Sequence, residues 1–177
     1  MDPINPEIFR NDQLAVSTLP TLEEVSFDKL SPKLLLKKSI STSISFILFL
    51  AISGAAFYVF PEFFKGYFPL VLLGIFLIFL WNYIKNWQWQ KRSGYALRER
   101  DVIFKRGFLL DRITIIPFNR IQHVSTERGV LDKILGISTL QIFTAGGSGS
   151  DISIPGLTPP LAASLKEALS ERIARHV

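Results

Sequence analysis

Two long apolar runs without a charged residue interrupt an otherwise mixed sequence. Residues 40–60 and 68–84 contain no Asp, Glu, Lys, Arg or His, and the short polar stretch 61–67 separates them. A helix that crosses a membrane needs roughly 20 mostly apolar residues. Backbone amides in lipid must be hydrogen-bonded within their own segment. The pattern therefore predicts two membrane-spanning helices, joined as an antiparallel hairpin.

Basic residues beside the two runs predict how this hairpin is oriented. They precede the first run and follow the second, whereas the connecting loop has only Lys65 next to Glu62. Loops rich in Lys and Arg stay on the cytoplasmic side of a membrane. We therefore expect a multi-pass protein of the cell (inner) membrane with both termini in the cytoplasm. The flanking basic residues are Lys29, Lys33, Lys37, Lys38, Lys85, Lys91 and Arg92.

From residue 93 onward the pattern changes to short runs rich in β-branched residues. Such runs, separated by Gly-rich turns, are typical of a meander or a small barrel rather than of βαβ units. We expect Pro155 and Gly156 to end the last strand. The predicted strands are 94–98, 102–108, 112–117, 121–128, 138–144 and 151–154, with a short helix at 130–135 closed by Gly136.

The sequence ends in a predicted amphipathic helix. Thr158 is its expected N-cap, and Pro159 suits the first helical position because its missing N–H would be unpaired there. Apolar residues recur at helical spacing and should cover an open side of the sheet. These residues are Leu161, Leu165, Ala168, Leu169 and Ile173.

The segment before the hairpin permits two interpretations. Residues 1–28 carry one Arg against six acidic residues, and prolines punctuate the stretch. It is either a disordered leader or a segment that docks on the following domain or on a partner. The docking residues would be Leu22, Val25, Phe27 and Leu30. The expected division is a tail at 1–32, a transmembrane hairpin at 33–92 and a cytoplasmic domain at 93–177.

Composition removes several classes of chemistry. The chain has no cysteine, so disulfides, thiol nucleophiles and zinc-thiolate sites are excluded. The two histidines, His123 and His176, are too far apart in sequence to suggest a metal pair. Most of the net charge of +5 lies beside the predicted membrane, which favours attraction to anionic lipid over nucleic acid. We expect no metal, no cofactor and no nucleic-acid partner.

Residues 115–157 carry a family likeness. The motifs are the I-P-x-x-R-I-Q-x-V strand at 116–124, a turn-helix at 129–136, T-A-G-G at 144–147 and I-P-G-L at 154–157. With the two preceding membrane helices, residues 30–177 closely resemble the YdbS-like bacterial pleckstrin-homology (PH) domain family. The resemblance implies a membrane α + β protein, in which a seven-stranded PH-like β-barrel or sandwich is capped by a C-terminal helix. The motif residues with an implied structural role are Pro117, Arg120, Gln122, Gly129, Gly136, Gly146, Gly147, Pro155 and Gly156.

Five basic residues on neighbouring strands are candidates for contact with phospholipid phosphates. They would act together if they gathered at one rim; the alternative is a solvated face with acidic residues interspersed. They are Lys105, Arg106, Arg112, Arg120 and Arg128. The glycine-rich stretch 146–150 lacks the lysine and the helix of a phosphate-binding P-loop, which favours a hairpin turn. His123 has no identifiable catalytic partner, which favours a structural role over a pH switch.

These observations lead to a function hypothesis without a reaction. We expect a membrane-anchored, non-enzymatic scaffold or interaction module that mediates protein assembly at the inner face of the membrane. Besides the lipid bilayer, its partner would be either another membrane protein or further copies of the chain. The resemblance implies that such a membrane protein would be a larger one with several PH domains. The alternative is anionic headgroup binding by the basic rim. An enzyme or transport subunit has the least support, because the sequence contains no recognisable catalytic constellation and neither span contains a charge.

Overall fold

Two long antiparallel helices form most of the N-terminal half of the described chain. In a computed structural model that describes residues 25–144 and 152–175, α1 spans Lys33–Val59 and α3 spans Phe68–Arg92. A short helix, α2 (Pro61–Phe64), lies between them. Both long helices are apolar and long enough to cross a membrane, and almost none of their apolar windows is buried by protein. They therefore present apolar surface outward, which a core helix of a soluble protein does not do.

The two helices pack through aromatic and hydroxyl side chains. The rings of Phe46 and Phe79 lie 5.1 Å apart between centroids, and Ser43 and Tyr83 share a hydrogen bond of 2.5 Å. Both helices continue beyond their apolar runs at the same end of the hairpin. We call these polar ends, residues 33–39 of α1 and 85–92 of α3, the stalk. At a rise of about 1.5 Å per residue the stalk extends the hairpin by roughly 10 Å.

Strands on both sides of the hairpin form two antiparallel sheets. The first has the order β1-β2-β3-β4, with β1 at Asp28–Lys29, β2 at Gly94–Leu97, β3 at Asp101–Gly107 and β4 at Asp111–Pro117. The second has the order β5-β6-β7, with β5 at Ile121–Glu127, β6 at Ser138–Thr144 and β7 at Ile152–Leu157. Helix α4 spans Val130–Leu135, and α5 spans Pro159–Arg175.

The two sheets form a sandwich rather than a closed barrel. Within residues 25–144 and 152–175, no ladder joins one sheet to the other. The chain leaves β4 at Pro117, which has no N–H to donate, and turns through the 3-10 helix Phe118–Arg120 before β5 begins. Of the two predicted forms, a PH-like β-barrel or a sandwich, the structure therefore has the sandwich. One strand of the larger sheet, β1, precedes the hairpin.

The core between the sheets includes Leu30, which precedes the hairpin, and Leu34, which lies in the first turn of α1. Leu30 and Leu34 are almost completely buried in the same cluster as the strand residues, so the docking interpretation holds for Leu30. Leu22 lies outside the described residues. The other main members of the core are Tyr95, Val102, Phe104, Ile116, Phe118, Ile121, Val124, Ile137, Leu140, Ile142, Ile152, Ile154, Leu157, Ala162 and Leu169.

Most predicted elements are confirmed, with two corrections. The bounds of α4 and β6 agree with the sequence patterns. However, Pro155 and Gly156 lie inside β7 rather than ending it, because the ladder with β6 continues to Leu157. In α5, Ala162 is buried while Leu161 is 40% exposed. The small side chain of Ala162 thus faces the sheet, and the apolar stripe is rotated by one position at the start of the helix.

Candidate interaction surface

An ion pair fastens the stalk to the domain. The Lys37 ammonium lies 2.7 Å from Oδ1 of Asp132, and it donates to Oδ2 at 2.8 Å. The Asp132 side chain is only 7% exposed, and Oδ2 also accepts the Gly129 N–H at 3.0 Å. Because α4 and the stalk are far apart in sequence, this pair fixes their relative position. A carboxylate this buried depends on its cationic partner.

Close backbone packing makes a second joint between stalk and domain. The Ser31 N–H donates to the Gly156 carbonyl at 2.9 Å, and the Gln90 amide donates to the carbonyls of Leu30 and Ser31 at 3.1 and 3.0 Å. A side chain at position 156 would place its Cβ 2.9 Å from the Cβ of Leu34. The domain is therefore packed onto the stalk as one unit.

Three of the five candidate basic residues lie near the turn between β3 and β4, with Lys105 on the opposite face of the sheet from Arg106 and Arg112. Lys105 pairs with Gly94, which lies two residues after the stalk, so β3 runs back toward the stalk. Arg106 and Arg112 lie directly opposite each other in the ladder. Like charges in this position repel each other. We call Lys105, Arg106 and Arg112 the hairpin cluster, after the β3–β4 hairpin to which they belong and not after the helical hairpin.

Further basic residues join this end of the sheet. A cleft of about 320 Å³ beside the hairpin cluster is lined by Phe27, Lys29, Lys91, Arg92, Ser93, Gly94, Lys105 and Asp111. Strand β1 holds Lys29 there, because Lys29 pairs with Gly94 and Asp28 with Tyr95. Burial, and then the Asp28 carboxylate, raises the pKa of the Tyr95 hydroxyl, so this group stays neutral. From the sequence, Lys29, Lys91 and Arg92 indicate only orientation. The proximity of Lys29 to Lys105 depends on the pairing of β1 with β2, and that of Lys91 and Arg92 depends on the pairing of β2 with β3.

The other two candidate basic residues lie elsewhere, so the five do not form one rim. Arg120 follows Pro117, which pairs with Asp101 at the opposite end of the β3–β4 ladder from Arg106. Arg128 donates from Nε to the Ile137 carbonyl at 3.2 Å. The expected rim therefore separates into the hairpin cluster and two distant arginines. The basic residues separate because they lie at different positions along their strands. The alternation of apolar and polar residues in the sequence does not reveal which strand positions lie side by side.

The family-motif residues that the structure describes include three glycines in structural positions. Gly129 directly precedes α4, and its N–H donates to Asp132. Gly136 ends α4 with φ +65°, and Gly156 has φ +73° inside β7, a backbone region that favours glycine. Gln122 is exposed on β5, and Pro155 is half-buried on β7. Gly146 and Gly147 lie outside the described residues, as does the glycine-rich stretch to which they belong.

Strand β4 forms the outer edge of the larger sheet. Among residues 25–144 and 152–175, β4 pairs with β3 alone. Its apolar residues Ile113 and Ile115 alternate on one face and remain well exposed, Ile115 at 43%. A cleft of about 380 Å³ is lined by Thr114, Ile115, Ile116, Pro117, Arg120 and Thr144. Consecutive strand residues point to opposite faces, so a cleft that touches four in a row runs along the strand's edge.

His123 is exposed, and its ring stacks on Phe143 with 4.1 Å between centroids and an interplanar angle of 13°. In the part of the chain that the structure describes, no group of three His, Asp or Glu side chains could hold a metal ion. His176 lies outside that part.

Known proteins resemble the chain over most of its length. A family model described as "Bacterial PH domain" matches residues 44–173. The UPF0699 transmembrane protein YdbS of Bacillus subtilis (strain 168) is 28% identical over 143 residues, which are 79% of this chain and 85% of that protein. No solved structure matches. The family match begins inside α1, so it includes most of the hairpin and nearly all of the domain but not β1 or Leu34.

Proposed function

We propose, from the premise that the chain belongs to the bacterial PH domain family, that this membrane-associated PH-like module is a non-enzymatic scaffold. It mediates protein assembly at the inner face of the cell membrane. In this proposal α1 and α3 cross the membrane, and both termini and the PH-like domain are in the cytoplasm. The basic stalk supports that orientation, because Lys- and Arg-rich segments stay on the cytoplasmic side.

The observation that carries the proposal is the exposed edge of β4. A strand edge presents a row of backbone N–H and C=O groups to which another strand can add. Natural proteins usually protect such an edge with Lys, Pro or a covering segment. Here the middle of β4 is Ile113, Thr114 and Ile115, with two exposed isoleucines, and a cleft follows the strand. This edge is suited to receive a partner strand.

The edge also suits a strand of its own kind. If two β4 strands paired antiparallel about Thr114, Ile113 of one would lie opposite Ile115 of the other. Such β-branched cross-strand pairs stabilise sheets. The partner strand in our proposal therefore comes from a second PH-like domain, either another copy of this chain or a larger membrane protein that contains several such domains. The rigid joint at Lys37 and Asp132 would hold the edge in a constant orientation toward that partner.

A lysine on the edge strand tests this proposal. We expect Ile115→Lys to reduce the particle mass of the detergent-extracted full chain to that of a single copy, because an edge lysine blocks strand addition. Size-exclusion chromatography with light scattering measures the mass. The matched control is Leu161→Lys on α5, since Leu161 is 40% exposed and Ile115 is 43% exposed. A complex that survives Ile115→Lys as well as it survives Leu161→Lys would refute assembly through β4.

One observation favours a second candidate function, recognition of anionic lipid headgroups. Arg106 and Arg112 face each other across the ladder, and guanidinium groups bind phosphate through paired hydrogen bonds. A phosphate between them would remove their mutual repulsion. The hairpin cluster lies at the membrane end of the domain, where such phosphates are concentrated. This candidate needs fewer residues than the rim predicted from the sequence, because Arg120 and Arg128 do not take part.

A further inference from the structure

We propose that the turn between β3 and β4 inserts into the bilayer beside α3 and forms a third membrane contact of the chain. The turn consists of Phe108, Leu109 and Leu110. The two leucines are 78% and 85% exposed, among the most exposed large apolar side chains of the domain. An apolar tip of this kind is costly in water and favourable in lipid.

The position of the turn identifies the bilayer as its occupant. The Phe108 ring packs edge-on against Trp81 of α3, with 5.6 Å between ring centroids. Trp81 belongs to the uncharged run 68–84 and not to the stalk. The Arg92 guanidinium donates to the Phe108 carbonyl at 3.1 Å, which ties the turn to the stalk. The tip therefore lies beside the apolar part of α3, at the depth where lipid begins.

The turn is tight and holds its side chains in a defined direction. Gly107 and Asp111 pair at the end of the ladder and leave only three residues to reverse the chain. A Cβ at Gly107 would come within 2.5 Å of the Leu110 carbonyl oxygen and 2.6 Å of the Asp111 carboxylate. Only glycine allows this close approach. The leucines are thus presented by a formed turn and not by a loose loop.

The charges behind the tip match the layers of a membrane. Arg106 and Arg112 lie on the strands just before and after the turn. The adjacent cleft is lined by the cations Lys91, Arg92 and Lys105 together with one acidic residue, Asp111. An apolar tip followed by a band of cations places carbon in the hydrocarbon layer and positive charge among the phosphates. Two membrane helices and an inserted turn together give three points of contact. Three such points determine how the domain is tilted on the membrane.

The inference rests on the proposal that α1 and α3 cross the bilayer, and it is independent of assembly through β4. The chain has no cysteine, so single cysteines can be placed and labelled without removing any. We choose Leu109→Cys in the turn, Leu77→Cys in the apolar run of α3, and Glu99→Cys in the β2–β3 turn. Glu99 is exposed at the opposite end of the same sheet, so it is a matched turn that should remain in water.

Each variant of the full chain is labelled with an environment-sensitive fluorophore and reconstituted in phosphatidylcholine–phosphatidylglycerol vesicles that contain spin-labelled lipid. We expect the probe at position 109 to be blue-shifted and to be quenched several-fold more strongly than the probe at position 99. The probe at position 77 should behave like the probe at 109. If 77 is quenched and 109 behaves like 99, the turn does not insert and the inference is wrong. If 77 also behaves like 99, the membrane placement itself is wrong, and the inference fails with it.

Discussion

Gly156→Ala is expected to destabilise the PH-like domain by about 2–4 kcal/mol, from backbone strain together with overpacking. The backbone at Gly156 has φ +73°, where an L side chain is strained. The added methyl group would also lie 2.9 Å from Cβ and 3.0 Å from Cδ2 of Leu34. Leu34 is 3% exposed and lies in the first turn of the stalk, so relief of the overlap would require the stalk to move. Equilibrium unfolding in urea in a mild detergent measures the loss.

Gly54→Ala provides the control for this substitution. Gly54 lies in α1, where an added methyl group would meet no other group within 4 Å, and its φ is not positive. Its replacement should change the free energy of unfolding by no more than about 1 kcal/mol, the difference in helix propensity between the two residues. Equal effects at positions 54 and 156 would show that the joint between β7 and the stalk does not contribute to the stability of the domain.

Lys37→Met should cost about 3 kcal/mol of unfolding free energy, because it leaves a buried carboxylate without its cation. The methionine retains most of the apolar stem of lysine, so the loss arises from charge and not from packing. The Asp132 carboxylate would keep only the Gly129 N–H of the two partners that the structure shows for it, Lys37 and Gly129. We also expect α4 to separate more readily from the stalk, which limited proteolysis of the detergent-solubilised protein would detect as earlier cleavage.

Lys133→Met removes the same charge one residue away from Asp132. Lys133 is exposed on α4, and a surface change of this kind usually alters stability by less than about 0.5 kcal/mol. A general effect of net charge would therefore appear in both variants, whereas the loss of the ion pair appears in one. If Lys37→Met unfolds at the same urea concentration as Lys133→Met, the ion pair does not hold the domain on the stalk.

Local patterns were sufficient to predict most elements of this fold, although not β1. The uncharged run from residue 40 to residue 60 lies almost wholly in α1, and the alternation of Leu140 and Ile142 with Gln141 describes a real strand with one buried face. Gly136 ends α4 in the left-handed region, as a closing glycine should. Each of these features depends on neighbouring residues, so the sequence contains its signal directly.

Contacts between distant segments could not be predicted in the same way. The pairing of Asp28 with Tyr95, the burial of Leu34 against Gly156, and the ion pair of Lys37 with Asp132 all cross the hairpin. No periodicity marks them, because each depends on how the domain folds back onto the stalk. The division of the basic residues has the same origin: strand direction and register decide which arginines meet. The apolar turn, by contrast, has a visible signal in three consecutive apolar residues, Phe108 to Leu110.

The mass of the native particle tests the central claim most directly. The unmodified protein, extracted from its membrane in mild detergent and analysed by native mass spectrometry, should emerge as a stoichiometric complex. That complex would contain several copies of the chain, whose mass is 20.0 kDa, or the chain with a second membrane protein that has PH-like domains. A single chain, with or without bound anionic lipid, would contradict the assembly proposal. With bound anionic lipid, that result would favour headgroup recognition by Arg106 and Arg112.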